Sequence, residues 1–223
     1  MRNKLMGWAA LVAMLSGGAA QATILTFDEI PGTENIQTHL DYQGFTFTST
    51  HMHFYGCAHA GYEDIAFNGT TKLGAEGDWG GPISMSRQDG GAFSLLSLDI
   101  AEFFNNGLYP DKPNADLLNL TATLLDGSQV SLDLVLDGIN DGPFGTLEDF
   151  QHVVLPELFV NVTQLVFTGV RLGASNFGGF SIDNLEVGDP VTVPEPGTLG
   201  MMGMGLLAAA VARRRRSNAA QPR

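Results

Sequence analysis

A period of two in the apolar residues is the feature that most restricts the fold of this chain. Apolar residues occupy every second position from 118 to 124 and again from 130 to 136, with mostly polar residues between them. In an extended strand, residues two positions apart lie on the same face, so each run has one apolar face. Asp126-Gly127 separates the runs, and both residues tolerate the positive φ of a tight hairpin turn. The two runs predict an antiparallel β-hairpin.

Further short strands are expected along the rest of the body. Turn signals such as Asp-Gly separate them, and no long stretch has the amphipathic pattern of a helix. The candidate strands are Ile24–Asp28, Gly44–Thr48, Ile83–Ser86, Phe93–Ile100, Phe150–Leu155, Gln164–Val170 and Gly179–Val187. This pattern predicts an all-β fold, an antiparallel β-sandwich of jelly-roll type, over residues 23–190.

The distribution of charge excludes one class of function. The chain of 223 residues has a formal net charge of -13, but most of its basic residues lie at the two ends. Residues 23–193 hold 23 acidic and four basic residues, which gives this stretch a net charge of -19. Because such a body repels the phosphate backbone, nucleic acid is not expected as a partner. With 44% hydrophobic residues, the chain is too apolar for a disordered acidic tail and predicts one folded domain.

Residues 1–22 have the pattern of a secretory signal peptide. Arg2 and Lys4 precede an apolar run from 6 to 15, and small residues end in Ala20-Gln21-Ala22. The apolar run is too short to span a bilayer, and the final triplet suits signal peptidase. We expect cleavage before Thr23 and export of the body.

Three segments follow the body at the C-terminus. Residues 191–197 form a proline-rich spacer, residues 198–212 are an apolar helix candidate, and residues 213–223 are a basic tail. At about 1.5 Å per residue the helix is roughly 22 Å long, a marginal transmembrane span. By the positive-inside rule, the basic tail stays in the cytoplasm and the body lies outside.

These C-terminal features resemble the PEP-CTERM sorting signal of Gram-negative bacteria. The residues that carry the resemblance flank the apolar helix: Val193, Pro194, Glu195, Pro196, Arg213, Arg214, Arg215 and Arg216. The resemblance implies recognition by an exosortase, a transient intermediate in the inner membrane, and a final place in the cell envelope or extracellular matrix. It also implies an association with exopolysaccharide. An ordinary tail anchor would explain the helix and the arginines but not the Pro-Glu-Pro sequence.

The body is similar to the mature domains of other PEP-CTERM proteins and, in its last strand, to jelly-roll carbohydrate-binding modules. Residues 86–96 and 180–185 carry this resemblance. In such modules a calcium ion often joins the first strand to the last. The resemblance therefore implies a structural Ca²⁺ bound by Asp28, Glu29, Asp183 and Asn184, whose oxygens suit that ion. The alternative is that these side chains hydrogen-bond turn amides.

A second candidate metal site comes from an unusual local composition. Three of the five histidines and the only cysteine lie between residues 51 and 59. His51, His53, Cys57 and His59 offer the nitrogen and sulfur ligands of a tetrahedral transition-metal site. On a strand, the spacing of two places His51 and His53 on the same face. The alternative is a loop of adaptable polar side chains in which Cys57 is a small buried hydrophobe.

Two aromatic residues are candidates for sugar binding. Trp79 lies in a turn-rich segment beside Asp78, and Tyr55 lies within the histidine-rich stretch. Aromatic rings on loops stack on the apolar faces of sugars. The alternative is that Trp79 folds back to cap the core.

The sequence does not predict an enzyme. It contains neither the G-x-S-x-G nor the H-E-x-x-H motif, which mark common hydrolases. We expect a non-enzymatic exported protein that is sorted by an exosortase and associates with extracellular polysaccharide. A secreted glycan-active hydrolase and a structural matrix protein without a small-molecule ligand are the alternatives.

Overall fold

The computed structural model describes residues 22–31, 33–55, 66, 68–77, 81–104, 113–138, 150–190 and 203–206. The chain forms two compact units, Met1–Pro190 and Val191–Arg223. The first unit is built from strands, as the periodicity predicts.

Eleven strands and one short 3₁₀ helix, Glu157–Phe159, occur in the described part of the first unit. The strands are β1 (Thr23–Leu25), β2 (Thr33–Tyr42), β3 (Phe45–Tyr55), β4 (Lys72–Ala75), β5 (Ile83–Arg87), β6 (Ser94–Glu102), β7 (Leu117–Leu124), β8 (Gln129–Val135), β9 (Gln151–Val154), β10 (Val162–Val170) and β11 (Phe180–Gly188). Every pairing between these strands is antiparallel. The predicted all-β antiparallel fold is therefore confirmed.

Strand β3 changes partners along its length and divides the sheet into two halves. The strands follow the order β8-β7-β10-β5-β3-β4-β11-β6-β9, with β2 beside β3 and β1 beside β11. Residues 45–48 of β3 pair with β5, whereas residues 53–55 pair with β4. We refer to β8, β7, β10 and β5 as the β7 half, and to β1, β4, β11, β6 and β9 as the β11 half.

The hairpin predicted from the alternation is present in the β7 half. Strands β7 and β8 pair from Thr123 opposite Gln129 to Leu117 opposite Val135. Gly127 has φ of +81° in the turn, a conformation that glycine adopts without steric cost. The apolar face of β7 is buried because it covers the core, while Val135 on the other face of β8 is 70% exposed.

One hydrophobic cluster includes side chains from both halves. Leu120 and Phe167 join it from the β7 half, and Ile100 and Ile182 from the β11 half. Phe27 packs its ring among those of three other aromatic residues of this core, Tyr42, Phe47 and Phe54. A single apolar core shared by two sheet halves supports the sandwich prediction.

Two strands were not predicted from the sequence. Strand β2 has a largely polar sequence, and Ile36 within it is 53% exposed. Among the described strands it pairs with β3 alone, so little of its surface is buried and it does not need a continuous apolar face. Strand β4 has only four residues, all buried, so it has no alternation to detect. The predicted first strand also ends early, at Leu25 rather than Asp28.

The two predicted membrane-targeting segments are largely outside the described residues. Residues 1–21 are among those not described, and of the helix candidate 198–212 only residues 203–206 are described, as α-helix. No helix in the described part of the chain has the length and apolar character to cross a membrane. The signal peptide and the transmembrane helix stay predictions.

Candidate functional site

In the described part of the chain, the buried polar side chains lie in the β11 half and at the adjoining end of β3. In the described ranges, eight polar or charged residues are buried: His53, Thr71, Lys72, Ser94, Ser97, Glu102, Ser181 and Asp183. They lie on β4, β6 and β11, directly before β4, or at the end of β3 that pairs with β4. Burying polar groups costs free energy unless they are paired. The buried groups that can titrate or bind ligands are therefore concentrated in and around the β11 half.

Asp183 is the most deeply buried carboxylate among the described residues, with no exposed surface. Its Oδ2 accepts hydrogen bonds from Asn68 Nδ2 at 2.6 Å and Thr70 Oγ1 at 3.0 Å. Its Oδ1 accepts one from the backbone N–H of Asn184 at 2.7 Å. Burial raises the pKa of Asp183 from its ordinary 3.8 to about 6, even though these hydrogen bonds lower it.

The neighbouring residues extend this polar group from β11 to two further strands, β6 and β9. Asn184 has a positive φ of 48°, and its Nδ2 donates to Asp99 Oδ2 at 2.7 Å. The register between β6 and β11 shifts at this point, as at a β-bulge, which redirects a side chain. The other oxygen of Asp99 lies 2.7 Å from Nδ1 of His152 on β9.

One feature expected for the calcium site is present, the pairing of the first and last strands. Strand β1 pairs with β11, with Leu25 opposite Leu185, so the first and last strands are neighbours. The Asp28 charge contributes to the raised pKa of Asp183. However, both Asp183 oxygens already accept hydrogen bonds. The calcium ligand set stays a prediction.

His51, His53 and Glu76 form a compact cluster where β3 meets β4. Glu76 Oε2 lies 3.4 Å from His53 Nε2 and 3.7 Å from His51 Nε2. The imidazole centroids are 4.6 Å apart. Only 15% of the His51 side chain, 6% of that of His53 and 25% of that of Glu76 are exposed. Burial lowers the pKa of His51, and repulsion by His53 lowers it further, while Glu76 opposes the shift.

An open cleft of about 840 Å³ lies between the ends of β6, β8 and β10. Its lining consists of Glu102 and residues 113–117, 135–138 and 171–174. The volume is within the range of roughly 300–1,000 Å³ typical of small-ligand sites. Two side-chain carboxylates hold its walls in place: Glu102 Oε1 accepts a hydrogen bond from the N–H of Gly138 at 2.6 Å, and Asp116 Oδ2 accepts one from that of Leu172 at 2.7 Å.

The cleft combines exposed apolar side chains with polar ones. Val135 is 70% exposed and Leu172 is 69% exposed, and both contribute to the lining. Asp116, Asp137 and Arg171 supply charged groups to the same lining. A surface of this kind suits a ligand with apolar faces and hydroxyl edges.

Several residues singled out in the sequence are outside the described part. Trp79, Cys57 and His59 are among them, and for Tyr55 only the strand position is described, opposite Lys72. The suggested roles of Trp79 and Tyr55 in sugar binding, and of Cys57 and His59 as metal ligands, stay predictions. Glu76 was not anticipated, because its proximity to the histidines depends on the pairing of β3 with β4.

Comparisons with known proteins bear on the tail and on the body separately. Residues 192–216 match the family model of the PEP-CTERM protein-sorting motif, which confirms the resemblance found in the sequence. No curated protein is similar enough in sequence to count as a relative.

The body is structurally similar to several solved proteins. One is a DUF4465 family protein from Bacteroides caccae, with 12% identity, a TM-score of 0.47, and coverage of 76% of this chain and 99% of that one. Another is the CBM22-1 xylan-binding domain of Xyn10C from Paenibacillus barcinonensis, with 14% identity, a TM-score of 0.37, and coverage of 78% and 98%. At these scores the similarity supports no conclusion about ligand or activity.

Proposed function

We propose that this chain is an exported, exosortase-sorted protein of the cell envelope or extracellular matrix whose β body binds polysaccharide without cleaving it. The observation that carries the proposal is the sorting motif at residues 192–216. The signal-like pattern of residues 1–22 and the basic residues after 212 support the same topology, with the body outside the cytoplasmic membrane.

The cleft supports a carbohydrate as the ligand. Sugar rings have apolar faces and hydroxyl edges, and the cleft lining pairs Val135 and Leu172 with Asp116, Asp137 and Arg171. Apolar contact with the first pair and hydrogen bonds to the charged group would hold one sugar chain in the open cleft.

The charge of the body supports a neutral rather than an anionic polysaccharide. Residues 23–193 have a net charge of -19, so an anionic glycan would be repelled unless cations bridged the two. We therefore expect neutral polysaccharide to bind with little dependence on salt, since no ionic attraction needs to be screened.

The sorting part of the proposal is tested by replacing Pro194, Glu195 and Pro196 with alanine. The variant should still be exported but should remain uncleaved in the inner membrane, because the exosortase no longer recognises its tail. Blots of membrane, envelope and medium fractions measure this. Unchanged processing would exclude exosortase sorting and leave a simple membrane anchor.

The binding part is tested with the full chain in detergent on an array of neutral and anionic glycans. Binding of a neutral glycan that is recovered intact supports the proposal. Release of shorter oligosaccharides would instead show a glycan-active hydrolase. If no glycan on the array binds, the result would favour a structural matrix protein without such a ligand.

A further inference from the structure

We propose that His51, His53 and Glu76 bind one divalent transition-metal ion, with Zn²⁺ as the species that fits best. This inference is independent of polysaccharide binding, because none of the three residues contributes to the cleft lining. It also differs from the set suggested by the sequence, since the carboxylate of Glu76, the residue directly after β4, takes part.

The backbone brings these three side chains to one face. His51 and His53 lie two residues apart on β3, so both side chains are on the same face. In the antiparallel ladder Tyr55 is opposite Lys72 and His53 is opposite Gly74. Continuing that register places Glu76 opposite His51. Gly74 is on the same face opposite His53, and the Phe103 ring packs where a side chain at position 74 would lie.

The separations of the ligand atoms fit a tetrahedral metal ion. Two ligands about 2.1 Å from a tetrahedral zinc are roughly 3.4 Å apart. Glu76 Oε2 is 3.4 Å from His53 Nε2 and 3.7 Å from His51 Nε2, and all three ligand atoms lie within 4.8 Å of one another. A metal ion can therefore be bound with small rotations of the side chains.

The environment of the His51 ring also supports its role as a metal ligand. Its Nε2 is buried and has no hydrogen-bond partner within the described ranges. A buried nitrogen without such a partner costs free energy. Coordination of a metal ion by this nitrogen would remove that cost.

The two other described histidines, His39 and His152, also lie near carboxylates but lack this arrangement. His39 lies 3.4 Å from Asp41 and His152 lies 2.7 Å from Asp99, but both histidine side chains are about 60% exposed. Neither pair belongs to a group of three potential ligands among the residues that the structure describes. These pairs are ordinary surface contacts and serve as internal controls.

The donor set indicates the class of metal. Two imidazoles and one carboxylate suit zinc and neighbouring first-row metals, whereas Ca²⁺ and Mg²⁺ prefer oxygen ligands alone. Three protein ligands leave a fourth position for water or another oxygen ligand, as in zinc sites that are accessible to ligands.

The test uses the full chain without an affinity tag, purified in detergent and stripped of metal with EDTA. Titration with Zn²⁺ should give one ion per chain, and Co²⁺ should give the visible absorption of a four-coordinate ion. Glu76→Gln, which keeps the side-chain shape, should weaken Zn²⁺ binding by at least about tenfold. The double substitution of His51 and His53 by alanine should abolish the stoichiometric binding.

His39→Ala is the matched control, because it removes a histidine that also lies near a carboxylate. It should leave the stoichiometry and affinity for Zn²⁺ unchanged. Absence of stoichiometric Zn²⁺ binding by the unmodified chain would overturn the proposal. So would binding of equal affinity in the unmodified chain and Glu76→Gln, or binding that persists in the double variant. Circular dichroism of each variant establishes that it is folded.

Discussion

The two halves of the sheet bury different kinds of side chain. In the β7 half, the fully buried residues are apolar, with Leu118, Leu120 and Phe167 as examples. In the β11 half and the adjoining end of β3, the described buried residues also include Asp183, His53 and six other polar or charged side chains. Both halves contribute to the same hydrophobic cluster.

Apolar and polar buried residues affect the stability of the fold in different ways. Apolar burial stabilises the fold in proportion to the area removed from water and does not depend on pH. A buried carboxylate such as Asp183 makes stability depend on pH, because its pKa differs between the folded and unfolded chain. We infer that the buried residues of the β7 half mainly stabilise the body, while the buried polar groups of the β11 half and the adjoining end of β3 titrate or bind a metal ion. The proposed sugar-binding cleft is separate from this contrast, because exposed side chains such as Val135 and Leu172, at the ends of strands in the β7 half, line it.

The largest expected effect is that of a cavity in the β7 half. Leu120 is fully buried, so Leu120→Ala should lower the free energy of unfolding by roughly 2–5 kcal/mol. The loss should be the same at pH 4 and at pH 7, since the substitution removes apolar contacts within the hydrophobic cluster and apolar burial does not depend on pH. Urea unfolding at the two pH values measures both quantities. A loss that differs strongly between them would contradict the division between the halves.

The next effect comes from Asp183 and, unlike the loss in Leu120→Ala, depends on pH. Its folded pKa of about 6 is above its ordinary 3.8, so the folded chain binds this proton more tightly than the unfolded chain does. The resulting stabilisation is fully present below pH 4 and is lost as the pH rises through 6. The loss is about 3 kcal/mol, from about 1.4 kcal/mol for each pH unit of difference.

Asp183→Asn removes this titration and keeps the shape of the side chain. The unmodified chain should therefore lose more stability than the variant between pH 4 and pH 7. Subtracting the two urea-unfolding profiles removes the contribution of other titrating groups. Parallel profiles over this range would show that Asp183 is not the source of the pH dependence.

The calcium prediction can be tested on the same residue. If Asp28, Glu29, Asp183 and Asn184 bind Ca²⁺, the ion should raise the melting temperature above pH 6 more than Mg²⁺ does at equal ionic strength. A hundredfold excess over Kd corresponds to about 2.7 kcal/mol. Asp183→Ala should abolish the difference. Equal melting curves in Ca²⁺ and EDTA would leave these groups as turn and strand residues.

The smallest effect comes from the backbone next to Asp183. Asn184 has a positive φ and donates to Asp99, so Asn184→Ala should lose the hydrogen bond and also acquire backbone strain. Together these cost roughly 2–3 kcal/mol. Asn184→Gly loses only the hydrogen bond, since glycine accepts this φ, and should cost about 1 kcal/mol. Equal losses in thermal unfolding would exclude strain at this position.

The contrast between the halves also explains what could be predicted from sequence. The β7–β8 hairpin was predicted with its turn because alternation and Asp126-Gly127 are local signals. Strands β2 and β4 were missed, since one is polar at an edge and the other is short and buried on both faces. Alternation reports burial on one face, and neither strand has that environment.

The candidate sites show the same limit. The spacing of His51 and His53 indicated a shared face, which is a local property of a strand. The position of Glu76 depends on which strand pairs with β3. The side chains that donate hydrogen bonds to Asp183 belong to Asn68 and Thr70, more than a hundred residues away in sequence. Such long-range pairing follows from the packing of the whole core and has no local pattern.

The most direct test of the central claim, polysaccharide binding in the cleft, compares two exposed valines. Val135 lines the cleft and is 70% exposed, while Val154 on β9 is outside the lining and is 74% exposed. The Kd for the neutral glycan identified on the array should rise about tenfold in Val135→Ser, because the lost apolar contact costs roughly 1–2 kcal/mol. Val154→Ser should bind like the unmodified chain. Equal affinities of the two variants for that glycan would contradict binding in the cleft.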